Sequence, residues 1–112
     1  MARKSSSCPD AGDVIWLDFD PTVGREITKR HPALVLTAHA YNRKAGLCVV
    51  CALTSSRKGY PFEVGIDGDM VLADQIRSLS WEACRAEFIR KAPAPVIAEV
   101  RAKLRALLGL ES

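Results

Sequence analysis

Residues 18–32 read DFDPTVGREITKRHP and join two apolar stretches of the sequence. The segment leaves the first stretch through Asp-Pro, crosses a glycine, and places Glu26 shortly before two basic residues, Arg30 and His31. Pro32 then opens the second stretch, ALVL. A loop held at both ends by strands and carrying an acid and two basic groups suits proton transfer or phosphate binding. The same composition also suits a solvated loop, so both interpretations stay open at this point.

The stretches on either side of this loop predict β-strands. In residues 13–19, DVIWLDF, Val14 and Trp16 face one side of a strand, and the apolar residues between and after them face the other. Residues 32–37 are too uniformly apolar for a half-exposed strand, which predicts a central strand. The rest of the chain predicts a second central strand at 47–56, a short strand at 62–66, two short strands meeting at ADQ within 70–81, and a strand or short helical piece at 84–91.

Two helices are predicted outside these strands. Residues 38–46 have the length of one or two turns and end at Gly46. In residues 95–109 apolar side chains recur at three- and four-residue steps up to Leu108, basic residues fall on the other side, and Gly109 stops the pattern. Pro95 suits the first turn of this helix. We expect a structural, amphipathic C-terminal helix lying on a sheet.

The order of these elements indicates the fold class. Short strands with turn signals about every ten residues are typical of a small, strongly bent antiparallel sheet or barrel. We therefore expect a mainly β protein with small helices, forming one domain over residues 1–112, with a loose N-terminal arm at 1–12. Residues 67–69, DGD, form a tight connection between two of its strands.

Composition limits the function classes without choosing one. The net charge of +3 permits a polyanionic partner but does not require one. No apolar run is long enough to span a bilayer, and the first residues, MARKSSSCPD, lack the apolar segment of a secretory signal. Cys48 and Cys51 lie three residues apart in one predicted strand, which puts their side chains on opposite faces and prevents shared chelation. We expect reduced, structural cysteines, a cytoplasmic protein, and neither a metal nor another cofactor.

Five segments in order carry a resemblance to a known family: GDVIWLDFDPTVGREI, RHPALVL, AYNRKAGLCVVCALTS, KGYPFEV and VLADQIRSLSW. Through them the chain resembles the MazF/PemK family of toxin endoribonucleases over nearly its whole length. The resemblance implies an SH3-like antiparallel β-barrel with small helices and a homodimer. It also implies metal-independent and ribosome-independent cleavage of single-stranded RNA at a short sequence. An antitoxin of the MazE type would block the RNA groove, DNA would be contacted only through that antitoxin, and no membrane would be involved.

The resemblance also implies catalytic residues. Glu26 corresponds to the glutamate of the family's G-x-E loop, Thr54 to the hydroxyl at the end of the third strand, and Asp74 to the acid of the A-D-Q segment. The family usually has arginine immediately before the proline, where this chain has His31, with Arg30 one position earlier. Leu72 stands where the PemK-like branch carries arginine, and the connection at 66–70 is shorter than usual.

RNA cleavage without a metal needs a base for the ribose 2′-OH, donors for the phosphoryl oxygens and an acid for the leaving oxygen. Arg30 suits phosphate binding, because a guanidinium stays charged and forms two parallel hydrogen bonds. A histidine, with an ordinary pKa of about 6.5, is the better proton donor near neutrality. Alternation along a strand would turn Arg30 and His31 to opposite sides. We favour Arg30 as the phosphate cation, with His31 as the alternative.

Other roles also keep alternatives. Glu26 is the first candidate for the base and Asp74 the second, while Thr54 is expected to donate to the scissile phosphate. Each could instead be structural, with Glu26 paired to a neighbouring cation and Asp74 bracing a turn. Trp16 could stack a base but is better explained as a core or interface residue. Candidates for RNA binding, which could also be plain surface residues, are Arg25, Lys29, Ser55, Arg57, Lys58, Gln75 and Arg77.

A rival function has a different mechanism. The same barrel family includes CcdB-like proteins that poison gyrase without cutting RNA, and an inactive homologue is a further alternative because of His31. A gyrase poison would use the C-terminal helix end and leave the loop idle. This chain ends in LLGLES without a distinctive signature, whereas the loop carries Glu26 and Arg30. The nuclease hypothesis is therefore favoured, although the sequence leaves the RNA bases that are recognised and the identity of the antitoxin undetermined.

Overall fold

The structure is a computed structural model, and it describes residues 7–19 and 30–110. In these ranges six strands form one antiparallel sheet in the order β4-β5-β3-β2-β1-β6. The strands are β1 Asp13–Asp18, β2 Arg30–Val35, β3 Leu47–Thr54, β4 Glu63–Ile66, β5 Asp69–Ser80 and β6 Glu87–Lys91, and the helices are α1 His39–Ala45 and α2 Ala94–Leu108. The predicted mainly β fold with small helices and a C-terminal helix is confirmed.

The sheet curls until its two edges approach each other. Arg90 on edge strand β6 forms a 2.9 Å ion pair with Asp67, in the turn that leaves the opposite edge strand β4. That turn is the predicted tight DGD connection, with positive φ at both Asp67 and Gly68, as a two-residue hairpin turn requires. The half-barrel that results has a concave and a convex face.

Each face of the sheet buries its own apolar core, because alternate strand residues point to opposite sides. The helix-side core packs against α2 and comprises Val14, Leu34, Cys51, Leu53, Val64, Ile66, Val71, Ala73, Ala92 and Val100. The turn-side core includes the turn after β5 and comprises Ile15, Leu17, Ala33, Val35, Cys48, Val50, Leu79, Trp81, Cys84 and Ala86. The predicted separation of Cys48 from Cys51 is confirmed, since they lie in different cores.

The helices lie close to where the sequence predicts them. Gly46 ends α1 and Gly109 ends α2, each in the left-handed conformation that glycine adopts without steric cost. Val100 of α2 is fully buried, whereas Leu107 and Leu108 are exposed. The apolar contact of α2 with the sheet therefore ends before the apolar pattern in its sequence does.

Two local predictions are corrected, and one that was left open is decided. Residues 70–81 do not form two strands, because β5 is one strand of 12 residues whose register against β3 shifts near ADQ. The ambiguous segment 84–91 contributes strand β6. The loose arm is wrong for residues 7–12, since the Pro9 carbonyl accepts a 2.9 Å hydrogen bond from the Asn42 side chain and Gly12 bonds to Val35. Packing that far apart in the chain leaves no local sequence pattern.

Three remaining features concern helix length, the cysteines and potential metal ligands. In the ranges that the structure describes, no helix is long and apolar enough to cross a membrane. Burial raises the pKa of the Cys48 and Cys51 thiols to about 12, and none of the four cysteines forms a disulfide bond. No group of three or more potential metal ligands occurs among the described residues.

Candidate active site

The loop that the sequence analysis singles out is only partly described. Its predicted site residues Glu26, Arg25 and Lys29 lie outside the described residues. The strands at its two ends are neighbours, with Asp18 at the end of β1 paired to Arg30 at the start of β2. The loop therefore begins and ends at one corner of the sheet, and the described parts of the site can be built from that corner.

Arg30 is held by an ion cluster on the helix-side face of this corner. Its Nη1 donates to Asp18 Oδ1 at 2.9 Å, and its Nη2 donates to the Arg85 carbonyl at 2.7 Å and to Glu87 Oε1 at 3.4 Å. Arg85 Nε donates to the other oxygen of Asp18 at 2.8 Å. We call Asp18, Arg30, Arg85 and Glu87 the Asp18 cluster. A phosphate would compete with these partners for Arg30.

The two arginines of the Asp18 cluster keep the Asp18 carboxylate ionised. The hydrogen bond from Arg85, followed by that from Arg30, holds the pKa of Asp18 below its ordinary value of 3.8 despite the opposing effect of burial. The same bond raises the pKa of Arg85. Asp18 is therefore a buried carboxylate that stays ionised because two guanidinium groups bind both of its oxygens.

His31 occupies the opposite face of the sheet. It pairs with Leu17 of the turn-side core, and its side chain is exposed. Its ring meets the Phe19 ring edge to face, with centroids 5.9 Å apart and an interplanar angle of 78°. The Arg77 guanidinium lies over the same phenyl ring, 5.5 Å from its centroid. Phe19 thus joins a histidine and an arginine on one surface.

Thr54 shares this face with His31. Ala33 pairs with Ala52, and strand alternation from this pair places His31 and Thr54 on the same face of the sheet. The Thr54 hydroxyl accepts a 3.1 Å hydrogen bond from the Ser56 amide. Since it is the acceptor in that bond, it keeps its own O–H for donation to a ligand.

Asp74 and Gln75 lie at the register shift of β5. Between Cys51 and Leu53 the chain of β3 advances two residues, while the paired chain of β5 advances five, from Val71 to Ile76. Ala73 and Ile76 pack into the helix-side core, and the two residues between them are exposed. A bulge of this kind re-aims side chains, and here it turns Asp74 and Gln75 outwards together.

The remaining predicted residues lie around this surface. Ser55, Arg57 and Lys58 are exposed in the segment after β3. Glu63 fixes that segment, because its carboxylate accepts hydrogen bonds from the Lys58 and Gly59 amides at 3.0 and 3.1 Å. We define the His31 surface as His31, Thr54 and Arg77, with the basic residues Arg57 and Lys58, which follow Thr54 in the chain, as its margin. Asp74 and Gln75 are exposed on β5 and are not included in this surface.

Trp16 belongs to neither the core nor the His31 surface. It pairs with Pro32 and Glu87, and 39% of it is exposed. The core alternative for Trp16 is therefore wrong, and interface packing or base stacking stays a prediction.

The sequence analysis assigned no role to Asp18, Phe19 or Arg85. Asp18 and Phe19 end a strand beside a loop rich in charge, which was an available signal for both. Arg85 had no such signal, because it follows Asp18 by 67 residues in the chain.

Comparison with known proteins gives consistent matches. Residues 10–108 match the sequence model of a family described as "PemK-like, MazF-like toxin of type II toxin-antitoxin system". The chain is 41% identical over 105 residues to the "Endoribonuclease toxin MazF" of Escherichia coli (strain K12), covering 90% of this chain and 95% of that protein.

Solved structures agree with this match. The crystal structure of MazE-MazF (Form-II) from Deinococcus radiodurans is 50% identical with a TM-score of 0.88, and covers 94% of this chain and 99% of that one. MazF (Form-I) from the same organism is 51% identical with a TM-score of 0.83, covering 92% and 98%.

The curled antiparallel sheet with its terminal helix is thus the fold of these toxins. This chain belongs to the PemK-like, MazF-like family of toxins of type II toxin-antitoxin systems.

Proposed function

We propose that this protein is an endoribonuclease toxin of a type II toxin-antitoxin system, which cleaves single-stranded RNA and thereby stops translation. Membership of the family supports this proposal, as do relatives that are named endoribonucleases. The structural observation that carries it is that His31 and Thr54 share one face of the sheet, where Phe19 contacts both His31 and Arg77.

The proposed reaction is an internal displacement at phosphorus that needs no metal ion. The 2′-oxygen forms a bond to the phosphorus while the bond from phosphorus to the 5′-oxygen breaks. A base takes the proton of the 2′-OH, and an acid gives one to the departing 5′-oxygen. The products are a 2′,3′-cyclic phosphate and a 5′-OH end.

We assign the cation nearest the phosphate to His31 rather than Arg30. Arg30 is already bonded to Asp18 and to the Arg85 carbonyl, whereas His31 is exposed on the face of Thr54. An imidazolium can both stabilise the phosphoryl oxygens and give its proton to the leaving oxygen. Thr54 donates its O–H to the same phosphate.

The base is assigned to a carboxylate. Glu26, which lies outside the described residues, is the first candidate, and Asp74, which is exposed at the register shift of β5, is the second. Arg77, Arg57 and Lys58 are proposed to contact the RNA backbone, together with Arg25 and Lys29 of the loop. Such contacts position RNA without reading its sequence.

We further propose a homodimer that acts in the cytoplasm and is neutralised by a MazE-like antitoxin. The antitoxin proposal is supported by the MazE-MazF structure from Deinococcus radiodurans, whose matched chain is 50% identical to this one. An acidic, largely unfolded antitoxin segment would suit the basic margin of the His31 surface.

The test is to incubate the purified protein with single-stranded RNA in EDTA and to determine the chemistry of the ends. Discrete cuts with cyclic phosphate and 5′-OH ends are expected. Arg101→Ala serves as the control, because it removes an exposed arginine of α2 that has no assigned role in the site, and it should cut at the unmodified rate. Intact RNA would contradict the proposal, and intact RNA with stalled gyrase would instead support the CcdB-like rival.

A further inference from the structure

The Asp18 cluster ties three separate parts of the chain to one carboxylate. Asp18 ends β1, Arg30 starts β2, and Arg85 lies in the turn between β5 and β6. The backbone reinforces the connection, because the Asp18 amide donates to the Cys84 carbonyl at 2.9 Å and Arg30 donates to the Arg85 carbonyl. Arg85 itself has a φ of 55°, a backbone conformation that residues other than glycine rarely adopt. The cluster therefore holds an otherwise unfavourable turn against the corner of the sheet.

The start of β2 needs such an anchor. Its pairing with β3 covers only Ala33 to Val35, so Arg30, His31 and Pro32 are paired with β1 alone. A one-residue change of register would exchange the faces of Arg30 and His31. Arg30 and His31 are both basic residues, so the charge of the side chain alone does not distinguish the two registers. The side chain partners of Arg30 decide between the two arrangements.

We propose that Asp18 is a positioning residue of the RNA-cleaving site, because by holding Arg30 on the helix-side face it directs His31 towards Thr54. Asp18 lies on the face opposite His31 and has no direct part in the reaction. Its catalytic consequence rests on the proposed function, but its effect on the orientation of His31 can be measured without RNA.

The chain offers a direct readout and a matched control. His31 and His39 are the two histidines of the sequence, so His39→Gln assigns both imidazole resonances in an NMR spectrum. The contact with Phe19 at 5.9 Å gives His31 a ring-current shift that depends on its orientation. The control is Asp13→Asn, which removes another buried carboxylate of β1 whose partners, Lys91 at 2.7 Å and the Asp10 amide at 2.9 Å, lie outside the Asp18 cluster.

Asp18→Asn should displace the His31 resonance and leave that of His39 in place, whereas Asp13→Asn should leave the His31 resonance in place. In RNA cleavage, kcat of Asp18→Asn should fall about 10- to 100-fold with KM changed less than about twofold, since the reacting groups are misplaced and the RNA-binding groups remain. Asp18→Glu, which keeps the charge, should recover part of kcat.

An unmoved His31 resonance together with unchanged kcat in folded Asp18→Asn would overturn the positioning role and leave the proposed function intact. A wild-type protein that cuts no RNA would overturn the function, while the resonance would still decide the orientation. If Asp18→Asn does not fold, Arg30→Gln carries the NMR test with the same expected displacement, and an unmoved resonance there overturns the proposal.

Discussion

His31 immediately precedes Pro32, at the position where the family resemblance implies an arginine. Alternation along β2 gives this position the face of Thr54, and it gives Arg30 the face of Asp18. The inverted order of the two basic residues therefore changes which chemical group faces the RNA. A proton donor takes the place of a permanently charged group.

Replacement of His31 separates these two properties. His31→Ala removes both the cation and the proton, so we expect the rate of RNA cleavage to fall by about two orders of magnitude or more. His31→Arg restores a phosphate-binding cation but supplies a poor acid, because a guanidinium keeps its proton at neutral pH. Its rate should lie between those of wild type and His31→Ala. Initial rates on one RNA measure this, and a wild-type rate for His31→Ala would contradict the assignment.

Asp18 makes the free energy of unfolding depend on pH. Because its pKa is lower in the folded protein than the ordinary 3.8, its stabilising effect is complete above that value and is lost as the pH falls through the folded pKa. Urea unfolding between pH 6 and 3 should show wild type losing more free energy of unfolding than Asp18→Asn. Parallel pH curves for the two proteins would show that the cluster does not contribute in this way.

At the scale of the elements, the sequence predicts regular structure better than irregular structure. The spacing of apolar residues identifies α2, and the alternation in residues 13–19 predicts β1 with its two faces. The register shift near Asp74 has no such pattern, because it depends on how β5 pairs with β3, a strand distant in the sequence. The same limit explains the two strands that were predicted in place of one.

The hairpin between β4 and β5 provides a test at this scale. Gly68 has a φ of 89° and nothing within 4 Å of an added Cβ, so Gly68→Ala introduces backbone strain without a clash. We expect a loss of about 1 kcal/mol in the free energy of unfolding. Gly65→Ala in the same hairpin also has free space but no positive φ, and it should cost less. Equal losses in chemical denaturation would show that the turn conformation is not the cause.

At the scale of the whole molecule, one curled sheet serves two cores. The family resemblance predicts this overall form. Cys48 and Cys51 illustrate it, because their odd spacing of three residues along β3 points them into different cores. The packed segment 7–12 and the Asp18 cluster could not be predicted, since Pro9 contacts Asn42 and Asp18 contacts Arg85 only after folding.

The two cores also predict thiol reactivity. Cys48 and Cys51 are fully buried and have a pKa raised to about 12, so neither should react with iodoacetamide at pH 8 in the folded protein. Cys8, which is partly exposed, should react first. Mass spectrometry after brief alkylation measures this, with guanidinium-unfolded protein as the control in which all four cysteines are modified. Rapid modification of Cys48 or Cys51 in the folded protein would contradict the burial of these strands.

The central claim is that His31 and Thr54 act together on one phosphate. A double-mutant cycle with His31→Ala and Thr54→Val, measured as kcat/KM for RNA cleavage, tests it most directly. Each single variant should lose about a hundredfold or more, and the double variant should lose little beyond the worse of the two, because residues that act as a unit are not additive. Single variants near the wild-type rate, or losses that multiply fully in the double variant, would contradict the claim.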